Sequence, residues 1–259
     1  MERFFLLLRA LAAWRTVVPT SRRMESPSLM NSAHFLPMAV FSAMFLDIRS
    51  DVAGSESSLR MRVAPFARPR DIALPEPYGT NPQYIIPHSE TVTLADALKD
   101  KGVRLIETRG TWPQKNMQLV RALYDWGILR NDPININGKE IGVMDCVAEY
   151  LLNSKEGTET ELYGYALHIE VIGEKNGKKY QHILTHTHPK SDGSVPGWEK
   201  LRAYTRNVGI PMAVAVILIA KGKVKDTGLL IPEYAFDPQD VFDELAKREI
   251  FIHEEINEM

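Results

Sequence analysis

The chain predicts an α+β fold, a mixed β-sheet with helices packed mainly on one face. Three stretches carry this reading. From Glu161 to His188, Tyr163, Tyr165, Leu167, Ile169 and Val171 alternate with smaller or polar residues, and Asn176-Gly177 supplies a hairpin turn before Lys179 to His188 returns antiparallel. From Val103 to Gly127, a short β-branched run ends in Arg109-Gly110-Thr111-Trp112 and feeds a helix. In that helix Pro113 stands at the first position, Leu119, Val120, Leu123 and Trp126 fall at helical spacing, and Gly127 is the stop. Near the end, Asp237-Pro238 reads as an N-cap followed by proline at the first helical position.

In chain order, residues 1–63 read as a poorly specified leader and residues 64–259 as the domain. Every basic side chain before Lys99 is Arg or His. Met1–Trp14 is Arg-rich and acid-poor, as targeting segments are, but Arg9 interrupts its apolar core and no clean cleavage site follows. Pro65, Pro69, Pro75, Pro77 and Pro82 mark an extended connector. Gln83–Ile86 is a short strand, and Thr93 caps a helix over Leu94 to Lys101 that Gly102 stops. The run Val103 to Thr108 is a strand, and Val143 to Asn153 a further helix. Ile210–Lys221 has β-branched content, but its length, with Pro211 at the start and Gly222 at the end, favours a buried helix. Ile250–Ile256 closes the fold as a strand.

Composition sets outer bounds. At 259 residues, 44% hydrophobic and 25% charged, the chain has the make-up of a soluble globular protein. A net charge of −2 leaves no electrostatic footprint for nucleic acid or an anionic membrane. The longest apolar runs, Leu36–Leu46 and Ile210–Ala220, are too short to cross a bilayer. Cys146 is the single cysteine, which rules out an internal disulfide and fits a reducing, cytoplasmic setting. It reads as a core residue rather than a nucleophile.

The candidate chemistry gathers at the central turn. Arg109 offers a fork of donors, and the following helix start offers free N–H groups, which together suit an anion. The competing reading of Arg109 is an ion pair. No two glycines are separated by one residue, so the dinucleotide turn G-x-G-x-x-G is absent, as is the P-loop spacing. His182, His186 and His188 occupy alternate positions of one strand and therefore share a face. They are weak metal candidates, with His168 from the paired strand as a possible addition; otherwise they mark a polar side of the sheet. The hairpin reads as aromatic and aliphatic on one face and histidine-bearing on the other. Ser154, Ser191 and Ser194 lack a nucleophile-elbow context.

The run Arg109-Gly110-Thr111-Trp112-Pro113-Gln114-Lys115-Asn116, followed by a helix and Asp125-Trp126-Gly127-Ile128-Leu129, resembles the glutamate-forming saccharopine dehydrogenase family. Tyr204-Thr205-Arg206-Asn207-Val208-Gly209-Ile210-Pro211 is similar to that family's Thr-x-Gly-x-Pro turn, and Phe236 to Arg248 to its closing helix. The similarity runs from Arg68 to Ile256 and concerns the family's C-terminal domain. It implies an NAD(P)-dependent oxidoreductase that carries NAD or NADP on a separate Rossmann domain, so that this chain alone binds neither cofactor and is inactive. It further implies a homodimer and an amino-acid-like or carboxylate substrate. The substrate would be held by His88, Glu90, Arg109, Gly110, Thr111, Trp112, Tyr204, Thr205 and Arg206, with the two arginines converging at helix starts opened by Pro113 and Pro211. Two arginines with which the family binds saccharopine align with Ser89 and Pro113 here, which argues against saccharopine itself as substrate. A non-catalytic binding module and a histidine metal-site hydrolase are the rival readings.

Overall fold

The computed structural model describes residues 50–51, 60–61, 63–86, 88–112, 114–130, 132–153, 164–200 and 203–259. Of the expected leader these include β1 (Ser50–Asp51) and β2 (Arg60–Met61), which pair antiparallel, and Val63. The rest of the leader, Pro113 and Tyr163 lie outside the described residues. The fold is α+β, with its strands distributed over small sheets. Two compact units divide the chain, one holding residues 50–72 and 81–153 of those described, the other 73–80 and 164–259. Among the described residues no helix is long and apolar enough to cross a membrane.

Three strands, β3 (Arg70–Ala73), β4 (Thr80–Ile85) and β5 (Arg109–Gly110), whose residues lie in the first unit except Ala73 and Thr80, form a sheet in that order. The strand expected over Val103 to Thr108 does not form. Pairing is confined to Arg109 and Gly110, opposite Ile85 and Tyr84, with one more bond from the Ile86 N–H to the Thr108 carbonyl at 2.9 Å. A β-branched run becomes a strand only where a neighbour accepts its ladder, and here β4 ends at Ile85. Helix α1 (Glu90–Ala97) begins three residues before Thr93, which therefore lies inside it, and Ser89 takes the N-cap position. Glu90 in the first turn complements the helix dipole, and the Thr91 hydroxyl donates to the His88 carbonyl at 2.7 Å. A short 3₁₀ turn, Lys99–Lys101, and left-handed Gly102 end it.

Helix α2 (Gln114–Asp125) stops where expected. Gly127 takes φ 72°, and the Ile128 N–H returns to the Leu123 carbonyl at 2.9 Å, closing a Schellman-type end. Its buried stripe differs from the expected one. Val120 and Leu129 are buried against Phe66, Trp112, Leu123 and Tyr124, whereas Leu119 and Trp126 are exposed, Trp126 at 84%. Positions 120, 123 and 124 make a tighter i, i+3, i+4 stripe than 119, 123 and 126. A hairpin of β6 (Ile134–Ile136) and β7 (Lys139–Ile141) follows, turning at Asn137-Gly138. Helix α3 (Val143–Asn153) has the predicted limits, but Cys146 on it is exposed rather than core. The burial at this end falls on Met144.

The second unit is built on the predicted hairpin, β8 (Tyr165–Lys175) and β9 (Lys178–His188), with Asn176 and Gly177 at φ 55° and 77° in the turn. Strand β10 (His253–Glu258) pairs antiparallel with the outer edge of β9. Because Lys175 opposes Lys178, odd residues of β8 face even residues of β9, and Leu167 opposes His186 while Val171 opposes His182. The aliphatic and histidine positions therefore share one face, instead of lying on opposite faces as expected. Helix α4 (Ala203–Ala220) begins eight residues before Pro211, so Pro211 lies inside it and does not open it. The burial of Val214 and Leu218 against Val241, Leu245 and Ile250, with Ile210 packed beside them, holds the helix on both sides of the proline. Each such aliphatic side chain contributes about 1.5–3 kcal/mol, enough to offset a proline interruption of about 3 kcal/mol.

A single turn, α5 (Pro232–Ala235), leads to α6 (Pro238–Ala246). The Asp237 carboxylate accepts from the Gln239 N–H at 2.9 Å, as the Asp-Pro pair predicted. On α6, Glu244 gathers three cations, Lys221 at 2.6 Å, Lys247 at 2.8 Å and Arg248 at 2.9 Å. Hydrogen bonds from Lys221, Lys247 and Arg248 hold its carboxyl down at about 2.

Candidate functional site

The residues predicted to bind substrate fall into different units. His88 through Trp112 belong to the first, and Tyr204, Thr205 and Arg206 to the second. In the first, His88 pairs with the Glu90 carboxylate, which also accepts from the Ser89 hydroxyl at 3.2 Å. Arg109 is engaged on two of its nitrogens. Its Nε donates to Glu107 at 2.6 Å, and its Nη1 to the carbonyls of Arg68 at 2.7 Å and Gln83 at 3.1 Å. That fork straps the sheet to its neighbouring loop, the ion-pair role weighed against anion binding. Gly110 packs at Ile86, where a Cβ would lie 3.0 Å from the Cδ1 atom. The Thr111 hydroxyl makes a long local contact to the Trp112 carbonyl at 3.4 Å, and Trp112 itself packs in the small core of Val120 and Leu129.

In the second unit the backbone of Tyr204, Thr205 and Arg206 lies in the first turn of α4. Around Arg206 the fold assembles a buried polar group. The ends of β9 deliver His186 and His188, at 4% and 0% exposure. The 3₁₀ turn Trp198–Lys200 delivers Trp198, whose ring lies 5.1 Å from that of His188. Helix α4 delivers Arg206 and Asn207, at 8% and 3%. Pro211 has no N–H, so the Asn207 carbonyl lacks its helical donor.

Hydrogen bonding fixes the histidine tautomers. A backbone carbonyl only accepts, so the 2.7 Å contact from His186 Nδ1 to the Phe251 oxygen puts a proton on Nδ1. The Nε2 atom of neutral His186 is then an acceptor, and His188 Nε2–H donates to it across 3.0 Å. The same proton leans toward Asn207 Oδ1 at 3.3 Å. His188 Nδ1 is therefore the lone-pair nitrogen. Burial keeps both rings neutral: it lowers His188 to about 3, helped by the adjoining His186 ring and by Arg206, and lowers His186 also, against the pull of the Phe251 carbonyl.

Arg206 is the exception in this otherwise neutral group. Its guanidinium stacks over the Trp198 ring at 3.7 Å, its Nε is buried without a hydrogen-bond partner, and among the described residues no carboxylate pairs with it. A desolvated cation–π contact is worth about 2 kcal/mol. The penalty for burying an ion is several kcal/mol, and a cation in a first helical turn also opposes the dipole. The stacking alone does not offset both.

The three histidines do not converge. His182 lies 3.5 Å from Glu254 on β10, and His168 opposes Thr185, on the face away from His186 and His188. Among the described residues no group of three or more His, Cys, Asp or Glu side chains is placed to hold a metal. Trp198 and Asn207 escaped the sequence reading. Asn207 adjoins the predicted Arg206, but nothing in Gly197-Trp198-Glu199 announces that the indole meets a strand end.

The fold and this group define an α+β domain with a cation-bearing polar interior in one of its two units. The saccharopine dehydrogenase C-terminal domain model matches residues 36–250, and the chain belongs to that family, an oxidoreductase-associated domain. Comparison with curated proteins gives no match.

Proposed function

We propose that this chain is the substrate-binding and subunit-pairing part of an NAD(P)-dependent oxidoreductase acting on an amino-acid-like carboxylate, inactive without a dinucleotide-binding domain. The supporting observation is the family match over residues 36–250, set against a sequence without the glycine turn that admits a pyrophosphate. Hydride chemistry belongs to the cofactor, and the domain's part is to hold and orient the substrate against it. In this reading Arg206 is the substrate-facing cation, since the Arg109 fork is largely occupied. Pairing is with a second copy of the chain, in a cytoplasmic setting that the lone Cys146 fits.

Calorimetric titration of NAD and NADP into the purified chain should show no saturable heat at millimolar cofactor, and oxidoreductase activity should appear only when a partner Rossmann domain is added. Saturable cofactor binding by the chain alone sinks the reading.

A further inference from the structure

We propose that Arg206, stacked on Trp198 and flanked by Asn207 and the His186–His188 pair, anchors a carboxylate subsite built entirely from residues 164–259. The inference rests on the reading of this chain as a substrate-binding domain and deepens it. It assigns the carboxylate to one unit and makes the Arg109 turn unnecessary for that contact.

Four observations converge. Arg206 is more than nine-tenths buried, yet its buried Nε has no hydrogen-bond partner and no carboxylate pairs with it among the described residues. The Trp198 face, 3.7 Å from the guanidinium carbon, takes up one side of the group and not its edge, and a planar carboxylate meets such an edge with two parallel bonds. The neighbouring imidazoles are held neutral by burial and by their mutual 3.0 Å contact, so the cluster carries one positive charge and matches one carboxylate. Arg206 also stands in the first turn of an 18-residue helix, whose positive end disfavours a cation and favours the anion that would neutralise it. Glu244, equally buried, is by contrast met by three cations.

Sodium acetate, sodium glutarate and sodium phosphate would be titrated into the full-length chain, with thermal unfolding as the readout. Either carboxylate should raise Tm by a few degrees in the low-millimolar range, and Arg206→Met should remove that response. Should Arg206→Met fail to fold, Arg206→Lys carries the test: it keeps the charge, loses the planar fork, and should bind about tenfold more weakly. Arg109→Gln should leave the response intact. No response in the native chain, or an equal response in the Arg206 variants, overturns the proposal. A response to phosphate as large as that to carboxylates overturns the assignment of ligand. Cofactor binding by the chain would defeat the wider reading without touching this titration.

Discussion

Gly164→Ala should lower the free energy of unfolding by about 2–4 kcal/mol, measured by urea denaturation. Gly164 immediately precedes β8, beside the Tyr165–His188 pair. A Cβ there would overlap the Tyr78 hydroxyl and stand 2.8 Å from the His188 carbonyl oxygen. The Tyr78 ring could swing away, but the His188 oxygen is backbone and held in the sheet. Overpacking of this kind costs about 1–3 kcal/mol. The Tyr78 hydroxyl would also lose its 2.7 Å bond to the His188 carbonyl, worth about 1 kcal/mol. Tyr78→Phe, which removes only the bond, should cost about 1 kcal/mol and calibrate the steric part. A neutral result for Gly164→Ala would mean that Tyr78 and the start of β8 do not meet as described.

Acidification should destabilise the fold well before most carboxylates titrate. The folded-state values of His186 and His188 lie below their ordinary value of 6.5, that of His188 at about 3. Between about 3 and 6.5 the unfolded chain therefore binds more protons than the native one, and stability rises with pH. The contribution is complete above 6.5 and is lost as pH falls toward the folded values. Each histidine held neutral adds a slope of about 1.4 kcal/mol per pH unit. Urea midpoints at pH 7, 6 and 5 should fall in that order, and His188→Gln should flatten the trend. A midpoint constant from pH 7 to 5 would show that the pair is not held neutral.

Much of the fold was legible because its cues were local. Asn176-Gly177 fixes a two-residue turn, and that turn alone sets which β8 residue meets which β9 residue. Asp237-Pro238 and Gly127 act through bonds within one helical turn. The misreadings arose where tertiary contact decides. Pro211 looks like a helix start, yet the core around Val214 and Leu218 carries the helix through it. Val103 to Thr108 has strand composition and too short a neighbour. Asn137-Gly138 carries the same hairpin signal as Asn176-Gly177, and the β6–β7 hairpin turns on it. At the site, period-two spacing put His186 and His188 on one face and similarity singled out Arg206, but the indole that stacks on Arg206 arrives by a loop with no periodic signal.

The way β10 completes its sheet also sets an order of assembly. The β8–β9 hairpin closes over two residues and can form within microseconds. Its outer edge, by contrast, waits for a strand that returns across residues 189–252, with His253 opposite Thr185. Contacts so distant in sequence form late. The carbonyl that fixes the His186 tautomer belongs to Phe251, on that returning segment. Pulse-labelled amide exchange during refolding should therefore protect β8 and the inner edge of β9 before the β9–β10 ladder. The histidine pair then becomes a reporter of completed folding: a chain with a formed hairpin and an undocked β10 has both imidazoles but not the proton arrangement of the native site.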